Sequence, residues 1–441
     1  MHPTVQKVRT HGLIQITERR TLDAQWLRQL CLDLGVDDVG FVSIDRPELD
    51  EQRADLLHAF PHTRTLISFV CRMNREPVRA VTRSVANYEF HHVGDHMTEV
   101  SHTLVRRLED MGIRAVNEPT GFPMELGNFP NEKPWIISHK PIAVAAGLGQ
   151  MGIHRNVIHP KFGNFILLGT VLMDADVTEQ QQPIEYNPCL ECKLCVAACP
   201  VGAIAADGHF NFSACYTHNY REFLTGFNDW VETVVDSKSV SEYRERVELN
   251  EGVSVWQSLS FGPNYKAAYC MAVCPAGEDV ISPFLDNRKQ FLQEIVKPLQ
   301  AKEESIFVVA GSDAEEHVQK RFSHKRLRYI HNGLRPTTVK GFLRNMQHFF
   351  QRGQAKGLDA VYHFTFTGAE QAEATVIIRN QTLTVQDGHQ GTANLHITAD
   401  SRTWMRFLAK EANLIWALLR GKIRLKGSPK LMLAFGKCFP S

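Results

Sequence analysis

The first 180 residues alternate between amphipathic helical patterns and short apolar runs. Residues 22–35 predict a helix, because their apolar side chains recur at the spacing of one helix face. Residues 92–112 predict a longer helix that ends at Gly112. The runs predicted as strands are VDDVGFVSI (36–44), RTLISFVC (64–71), IRAVNE (113–118) and FGNFILLGTVLMDADV (162–177). Strands that alternate with helices indicate an α/β layer structure.

The last hundred residues follow a different period. Four segments alternate apolar and polar residues with turns between them, which predicts an antiparallel sheet. They are VYHFTFTG (361–368), ATVIIRN (374–380), TLTVQDG (382–388) and LHITAD (395–400). Residues 401–421 predict one helix with Ser401 as its N-cap. Residues 300–335 form a connector with one strand-like and one charged, helix-like piece.

The charge balance narrows the classes of partner. The chain has 49 basic and 48 acidic residues, so its net charge is +1, which argues against a general nucleic-acid surface. No run of 18 apolar residues predicts a membrane span. The first 25 residues contain no apolar signal core, so the expected location is the cytoplasm.

The ten cysteines are distributed unevenly. Seven of them lie between residues 189 and 274, whereas Cys31, Cys71 and Cys438 stand alone. Without a signal segment, a dense group of this kind indicates metal ligation more than disulfides. We interpret Cys31 and Cys71 as buried, unreactive thiols.

The sequence NPCLECKLCVAACP carries the strongest chemical signal. Its spacing is C-x2-C-x2-C-x3-C-P, formed by Cys189, Cys192, Cys195 and Cys199. In two-cluster ferredoxins the first three cysteines of such a run bind one iron–sulfur cluster, and the fourth binds the other. A four-ligand zinc site would leave three further cysteines, Cys215, Cys270 and Cys274, without a role.

The crossed pattern gives two unequal ligand sets. Cluster A takes Cys189, Cys192, Cys195 and Cys274, and cluster B takes Cys199, Cys215 and Cys270. Ala267 stands where a fourth cysteine of cluster B is expected. Cluster B is then a three-iron cluster, a four-iron cluster with a non-cysteine ligand, a cluster with one iron open to water or substrate, or a site that no longer assembles. The nearest non-cysteine donors are Asn264, Tyr265 and Tyr269.

The amino-acid sequence before the cysteine motif resembles the epoxyqueuosine reductase and reductive dehalogenase superfamily. The resemblance rests on SHKPIAVAAGLGQMGIHRNVIHPKFGNFILLGTVLMDADV (138–177), with its AGLG segment and P-x-F-G turn, and on residues 85–108. It implies a nitroreductase-like α/β core with a ferredoxin-like two-cluster insert. It also implies that the clusters deliver electrons to a cobalamin that has no protein lower ligand.

The same resemblance suggests residues near a bound substrate or cofactor. Tyr88, His91 and His139 are candidate proton donors, and Gly147 and Gly149 are candidate cofactor contacts. We do not interpret the glycines as a dinucleotide fingerprint, because Pro160 follows too soon for a crossover helix. Where the reductases carry an aspartate proton donor, this chain has Lys133 beside Glu132, so queuosine chemistry is not the first expectation.

Residues 336–438 resemble a sterol carrier protein type 2 domain. This resemblance rests on four segments: the FTFTG strand (364–368), the hairpin at 379–381, ITADSRTWMRFL (397–408) and GKIRLKG (421–427). It implies an α+β domain with a five-stranded sheet and an apolar tunnel for lipids. The side chains that suit such a tunnel are Phe364, Phe366, Trp404, Phe407, Leu408, Trp416, Leu419, Leu431 and Phe435.

These observations predict four segments: an α/β reductase-like domain (1–185), a ferredoxin-like domain (186–299), a connector (300–335) and a sterol-carrier-like domain (336–441). The expected function is an iron–sulfur oxidoreductase that reduces a hydrophobic or lipid-like substrate. Its expected partner is an electron donor of the ferredoxin or flavodoxin type. The alternatives are a non-catalytic electron-transfer and lipid-binding protein and a tRNA-modifying epoxyqueuosine-type reductase.

Overall fold

The structure, a computed structural model of the chain, describes residues 1–11, 20–119, 121, 135, 137–189, 191–223, 225–330 and 336–440. It divides into two compact units. The first contains residues 1–192 and 271–292, and the second contains residues 193–270 and 293–441. The four-segment division expected from the sequence stays a prediction.

Most of the described residues belong to helices and strands. The helices are α1 (Pro3–His11), α2 (Ala24–Asp33), α3 (Asp50–Ala59), α4 (Arg75–Arg79), α5 (Arg83–Asp110), α6 (His139–Ala145), α7 (Leu194–Ala198), α8 (Phe212–Asn219), α9 (Thr225–Asp236), α10 (Val240–Arg246), α11 (Leu249–Phe261), α12 (Tyr269–Ala272), α13 (Ser282–Asp286), α14 (Arg288–Phe291), α15 (Lys297–Ala301), α16 (Asp313–Arg321), α17 (Val339–Phe349), α18 (Ser401–Leu408), α19 (Leu414–Leu419) and α20 (Pro429–Lys437). The strands are β1 (Thr21–Leu22), β2 (Asp38–Ser43), β3 (Thr65–Arg72), β4 (Ala115–Asn117), β5 (Gln150–Met151), β6 (Val157–Ile158), β7 (Ile166–Met173), β8 (Asp176–Val177), β9 (Ser305–Val308), β10 (Arg326–Tyr329), β11 (Ala360–Thr367), β12 (Ala372–Arg379), β13 (Thr382–Asp387), β14 (Leu395–Asp400) and β15 (Ile423–Gly427).

A four-stranded sheet forms the centre of the first unit. Its order is β2-β3-β7-β4, and every neighbouring pair is antiparallel. The first seven residues of β3 are all buried, so the sheet is covered on both faces. The sequence therefore predicted these strands and the α/β composition, whereas apolar runs alone did not reveal their antiparallel direction.

Helices cover the two faces of this sheet. Leu66 and Val70 of β3 pack with Ile142 of α6 in one apolar cluster. Side chains alternate along a strand, so Ile67 and Phe69 point to the opposite face. Helix α5 packs against β3 and β7 and covers that face. The layers expected from the sequence are present, and they separate residues on α5 from residues on α6.

The second unit contains a five-stranded sheet in the order β13-β12-β11-β14-β15. The expectation of an antiparallel sheet was wrong at one pair, because β11 and β14 run parallel. Alternation along a strand determines which side chains share a face, but it does not determine the neighbour or its direction. A second, two-stranded parallel sheet joins β9 and β10.

The single helix expected over residues 401–421 is two helices. Helix α18 ends at Leu408 and α19 begins at Leu414, with Lys410 in the left-handed region at φ 62°. The Asn413 side chain accepts a hydrogen bond from the backbone N–H of Ile415 at 2.8 Å, which begins the new helix. The predicted N-cap, Ser401, was also one residue late, because Asp400 caps α18.

Replacing Asp400 with alanine will destabilise the C-terminal sheet and helices by about 1 kcal/mol, the usual cost of losing an N-cap. The Asp400 Oδ1 accepts hydrogen bonds from the Thr403 Oγ1 at 2.6 Å and the Thr403 N–H at 3.0 Å. These two bonds hold the pKa of Asp400 below its ordinary value, so the ionised cap stabilises the fold at neutral pH and is lost as the pH falls through that pKa.

Urea unfolding followed by circular dichroism will measure this difference. The matched control is Asp387→Ala, which removes an exposed carboxylate from β13 of the same sheet. Equal midpoints for the two variants would contradict the capping role of Asp400.

Candidate iron–sulfur site

The cysteine run forms a tight turn before helix α7. Glu191 and Lys193 both adopt left-handed backbone conformations, at φ 53° and 54°, on either side of Cys192. Such conformations are uncommon for residues other than glycine, and successive turns of this kind direct backbone N–H groups into a concavity. The local chain therefore has a shape that can surround an anionic group.

Two cysteines 85 positions apart approach one tyrosine in the first unit. Burial, followed by the neighbouring Cys274 and Cys189 side chains, raises the pKa of Tyr186 to about 12. The Tyr186 hydroxyl donates to the carbonyl of Ile158 at 3.0 Å, and the Cys189 Sγ accepts from the N–H of Ile153 at 3.4 Å. Ile158 at the end of β6 thus holds the Tyr186 hydroxyl, and Ile153 after β5 holds the Cys189 thiol.

The P-x-F-G turn fixes the segment that follows Cys274. A β-carbon on Gly163 would lie 1.8 Å from the carbonyl oxygen of Ala276, and Gly163 has φ 64°. Only glycine permits this close approach of two backbones. The N–H of Glu278 also donates to the carbonyl of Pro160 at 2.9 Å. The turn therefore determines where the chain leaves Cys274.

In the second unit, Tyr220 lies beside two cysteines of the predicted cluster B. Burial raises the pKa of Tyr220 well above its ordinary value, and Tyr265, Cys215, Tyr216 and Cys270 add to the rise. The Tyr220 ring stacks on Tyr216 at 5.3 Å and meets Tyr265 edge-on at 5.7 Å. Cys215 and Cys270 are thus brought to one phenol, with two more phenols around it.

The third predicted ligand of cluster B is a buried thiol surrounded by backbone N–H groups. Burial raises the pKa of Cys199, while N–H groups of Ala203, Val201, Ile204 and Gly202 oppose that rise. The N–H of Ala203 lies 3.3 Å from the sulfur. Hydrogen bonds of this kind stabilise a metal-bound thiolate and tune the potential of a cluster.

The turn at Ala267 has the required backbone without the thiol. Ala268 is left-handed at φ 52°, and the Asn219 Oδ1 accepts hydrogen bonds from the N–H groups of Ala267 and Ala268, each at 3.0 Å. Asn219 ends helix α8, which also carries Cys215. The side chain of one helix therefore holds the turn in place of a metal–sulfur bond.

Two of the three predicted substitute ligands are engaged elsewhere. The Asn264 Nδ2 donates to the Ser258 Oγ at 3.1 Å, and the Tyr269 hydroxyl donates to the Glu304 carboxylate at 2.8 Å. Tyr265 is the one whose ring reaches Tyr220. Cys438, a further sulfur donor in the second unit, is also engaged elsewhere, because this buried thiol donates to the Ala434 carbonyl at 3.3 Å within the C-terminal core.

Tyr220 and His218, which lie near the predicted ligands of cluster B, were not among the residues predicted from the sequence. Tyr220 has no fixed spacing from any cysteine of the motif. His218 follows Cys215 by three positions and is buried; its Nδ1 accepts from the N–H of Phe307 at 3.4 Å, and within the described residues its Nε2 has no hydrogen-bond partner. The helical spacing of Cys215 and His218 could have revealed the second of them.

The donor set fits iron–sulfur clusters better than a single metal ion. Among the residues that the structure describes, no group of three or more His, Cys, Asp or Glu side chains is arranged to hold one ion. Each thiolate of a four-iron cluster binds a different iron, so its ligands lie further apart than the ligands of one zinc ion. The sulfur donors, their N–H partners and the left-handed turns agree with the wider ligand spacing of an iron–sulfur cluster.

The three candidate proton donors do not form one group. The His139 Nδ1 lies 2.9 Å from the Thr170 Oγ1 on the α6 face of the sheet, and burial lowers the pKa of His139 to about 4, so it is neutral at pH 7. Tyr88 and His91 lie on α5, which covers the other face. Tyr88 is 73% exposed and stacks on His92. Lys133 and Glu132 lie outside the described residues.

The two candidate cofactor glycines contact their own chain. Gly147, at φ 74°, ends α6, and a β-carbon there would lie 2.7 Å from the carbonyl of Gln182. A β-carbon on Gly149 would lie 2.4 Å from the carbonyl of Ile158. The chain itself therefore fills the β-carbon direction at both glycines, and their role as cofactor contacts stays a prediction. The strands β5 and β6, rather than a helix, follow them.

The C-terminal sheet encloses an aromatic core. Trp404 is fully buried, and its ring lies 5.7 Å from the rings of both Phe342 and Phe364. The Trp404 Nε1 is buried and, within the described residues, has no hydrogen-bond partner. Of the nine side chains predicted to suit a tunnel, Trp416 and Leu419 are instead exposed, because they lie on the outer side of α19. The other seven are buried or half-buried.

Comparison with known proteins supports two parts of the chain separately. Residues 344–440 match the family described as the SCP-2 sterol transfer family.

Among the described residues, no helix has the length and apolar character that crossing a membrane would need.

Part of the chain is similar to epoxyqueuosine reductases. It is 30% identical over 204 residues to the enzyme of Escherichia coli (strain K12), which covers 41% of this chain and 52% of that protein. It is 24% identical over 219 residues to the enzyme of Staphylococcus aureus (strain NCTC 8325 / PS 47), with 44% and 56% covered. The chain thus spans about half the length of these curated relatives.

A solved epoxyqueuosine reductase from Streptococcus thermophilus matches 62% of this chain and 75% of its own, with 15% identity and a TM-score of 0.34. Both resemblances noted in the sequence, to the reductases and to the sterol carrier proteins, are confirmed as similarities.

Proposed function

We propose that this chain is an iron–sulfur reductase. Its cysteines would hold two clusters, which would supply electron transfer from a donor protein to an electrophilic, hydrophobic substrate. The observation that carries the proposal is that cysteines far apart in the sequence lie near the same phenol, Cys189 and Cys274 near Tyr186 and Cys215 and Cys270 near Tyr220. Cysteines needed only for packing have no reason to pair in this way across the sequence.

The two sites are proposed to differ in chemistry. Cluster A has four cysteines, Cys189, Cys192, Cys195 and Cys274, and is suited to electron transfer. Cys199, Cys215 and Cys270 would hold cluster B, and a four-iron cluster held by these three thiols would have one iron without a cysteine. The phenols of Tyr220 and Tyr265 lie beside it and, being neutral, act as hydrogen-bond donors. They can hold a ligand of that iron or supply a proton.

The C-terminal domain is proposed to hold the hydrophobic substrate. Its match to a sterol transfer family supports an apolar ligand. The unpartnered Nε1 of Trp404 within an aromatic core supports a ligand that also carries an oxygen acceptor, since a buried donor without a partner is costly. Binding of such a molecule keeps it close to the reductase part of the same chain.

Reduction of an epoxyqueuosine-type substrate is the second candidate. The 30% identity to an epoxyqueuosine reductase over 204 residues favours it. The resemblance to that superfamily also implies a cobalamin as the centre that receives the electrons. The residues that would contact such a group stay a prediction, and no step of the proposal passes through a corrinoid.

Electron paramagnetic resonance will test the proposal. Protein purified without oxygen, from cells supplied with cobalamin, is measured before and after reduction. We expect cluster signals after reduction and two distinguishable clusters after partial reduction. A signal before reduction is expected if cluster B is a three-iron cluster, because an oxidised four-iron cluster is diamagnetic. Protein without any cluster signal and without bound iron would overturn the proposal, whereas a cob(II)alamin signal would identify a corrinoid as the acceptor.

A further inference from the structure

Helix α19 exposes its most apolar side. Ile415, Trp416 and Leu419 are 66%, 61% and 72% exposed, and they lie within one arc of the helix, while Ala417 on the opposite side is buried. The helix is fixed rather than frayed, since Asn413 caps its first turn. A surface that presents tryptophan and two aliphatic side chains together marks an interaction site.

Basic residues surround this exposed side. Residues 401–441 contain nine lysines and arginines and a single acidic residue, although the whole chain has a net charge of only +1. Arg420, Lys422 and Arg424 follow α19 directly and are exposed. The Arg420 guanidinium lies 5.8 Å from the Trp416 ring, and the Arg424 Nε donates to the carbonyl of Gly421 at 3.2 Å. The cations thus lie at the end of the apolar helix.

We propose that α19 and the three cations Arg420, Lys422 and Arg424 form a docking surface for an anionic lipid bilayer. Tryptophan and aliphatic side chains enter the boundary between headgroups and acyl chains, and lysine and arginine at their edge bind anionic headgroups. Nucleic acid would pair with the cations but would leave Ile415 and Leu419 in water, since it binds through phosphates and base stacking. The proposal does not depend on the clusters.

Another exposed apolar helix in the same chain lacks the charge. Helix α11 exposes Leu249 at 82% and Trp256 at 57%. Residues 225–262 around it contain seven acidic and three basic residues, which repel an anionic surface. Trp256 is therefore a control of the same residue type and similar exposure, in surroundings of opposite charge.

Sedimentation of the full chain with vesicles tests the proposal. The vesicles are pure phosphatidylcholine or phosphatidylcholine with about one third phosphatidylglycerol. We expect binding to the anionic vesicles only, weakening as salt is raised. The double variant Trp416→Ser/Leu419→Ser is expected to lose at least tenfold in partitioning, as is the triple variant Arg420→Gln/Lys422→Gln/Arg424→Gln. Trp256→Ser should bind like the parent.

Several outcomes would overturn the proposal. They are an absence of vesicle binding, equal binding by the Trp416→Ser/Leu419→Ser and parent proteins, and loss of binding in Trp256→Ser instead. Binding of bulk tRNA that requires the three cations, without any vesicle binding, would assign the surface to nucleic acid. A parent dimer that the Trp416→Ser/Leu419→Ser variant converts to a monomer would assign it to a second copy. Circular dichroism of each variant confirms that these exposed substitutions leave the fold intact.

Discussion

A protein carrying Cys199→Ala will lose cluster B and retain about half of its iron, because one of two clusters remains. Cys199 is the fourth cysteine of a run whose first three belong to the other cluster. Its sulfur is buried and receives the N–H of Ala203 at 3.3 Å. Alanine removes the thiolate but keeps the β-carbon, so the change is confined to ligation.

Comparison with Cys195→Ala makes this prediction sharp. Only three residues separate the two cysteines, yet Cys195 is assigned to cluster A, so the two variants should lose different resonance signals. Cys215→Ala should lose the same signal as Cys199→Ala. The measurement is iron and sulfide content together with spectra of the reduced proteins. Loss of one and the same signal in Cys195→Ala and Cys199→Ala would contradict the crossed assignment.

A cysteine outside the motif supplies the control. Cys438 is buried in the C-terminal core, its thiol donates to the Ala434 carbonyl, and burial raises its pKa to about 11. Serine at this position can make the same hydrogen bond. Cys438→Ser should therefore retain all of the iron, which would show that losses elsewhere report ligation rather than a general effect of removing thiols.

Much of the cysteine arrangement could be predicted because it is local. A spacing of two or three residues constrains thiols within one turn of chain, and this holds in any fold. The position of Cys274 depends instead on the turn at Gly163, where the positive φ and the missing β-carbon permit the close contact with Ala276. The glycine was visible in the sequence, but its distant contact was not.

The candidate proton donors show the opposite case. Tyr88 and His139 were grouped by their order along a resemblance, whereas the sheet separates α5 from α6. Periodicity identifies which residues of a helix share a side, and it does not identify what that side meets. The same limitation placed Trp416 and Leu419 in a tunnel, although they are exposed.

The phenols around cluster B could not have been predicted from spacing. Tyr220 approaches Cys270 because α8 ends beside the turn that Asn219 holds. The hydrogen bonds between Asn219 and the turn at Ala267 join residues almost fifty positions apart. Composition and motif therefore predict the ligands, and the fold is needed to find the side chains around them.

Ala267→Cys will convert cluster B into a site with four cysteines. The Ala267 N–H is already held by Asn219, and the residue is buried. A cysteine adds only its sulfur to the existing β-carbon, so the backbone does not need to move. If the parent holds a three-iron cluster, iron content rises from about seven to about eight per chain. If it holds a four-iron cluster with another ligand, the content stays and the spectrum changes.

The neighbouring position provides the matched control for this gain. Ala268→Cys adds the same thiol one residue further along. The left-handed backbone there points the side chain in a different direction from that of residue 267. It should leave iron content and spectra unchanged. Asn219→Ala, which releases the turn, should weaken cluster B in the parent and less so in Ala267→Cys, since a fourth iron–sulfur bond then holds the turn. An Ala267→Cys protein with unchanged iron and an unchanged spectrum would show that Cys199, Cys215 and Cys270 do not share one cluster.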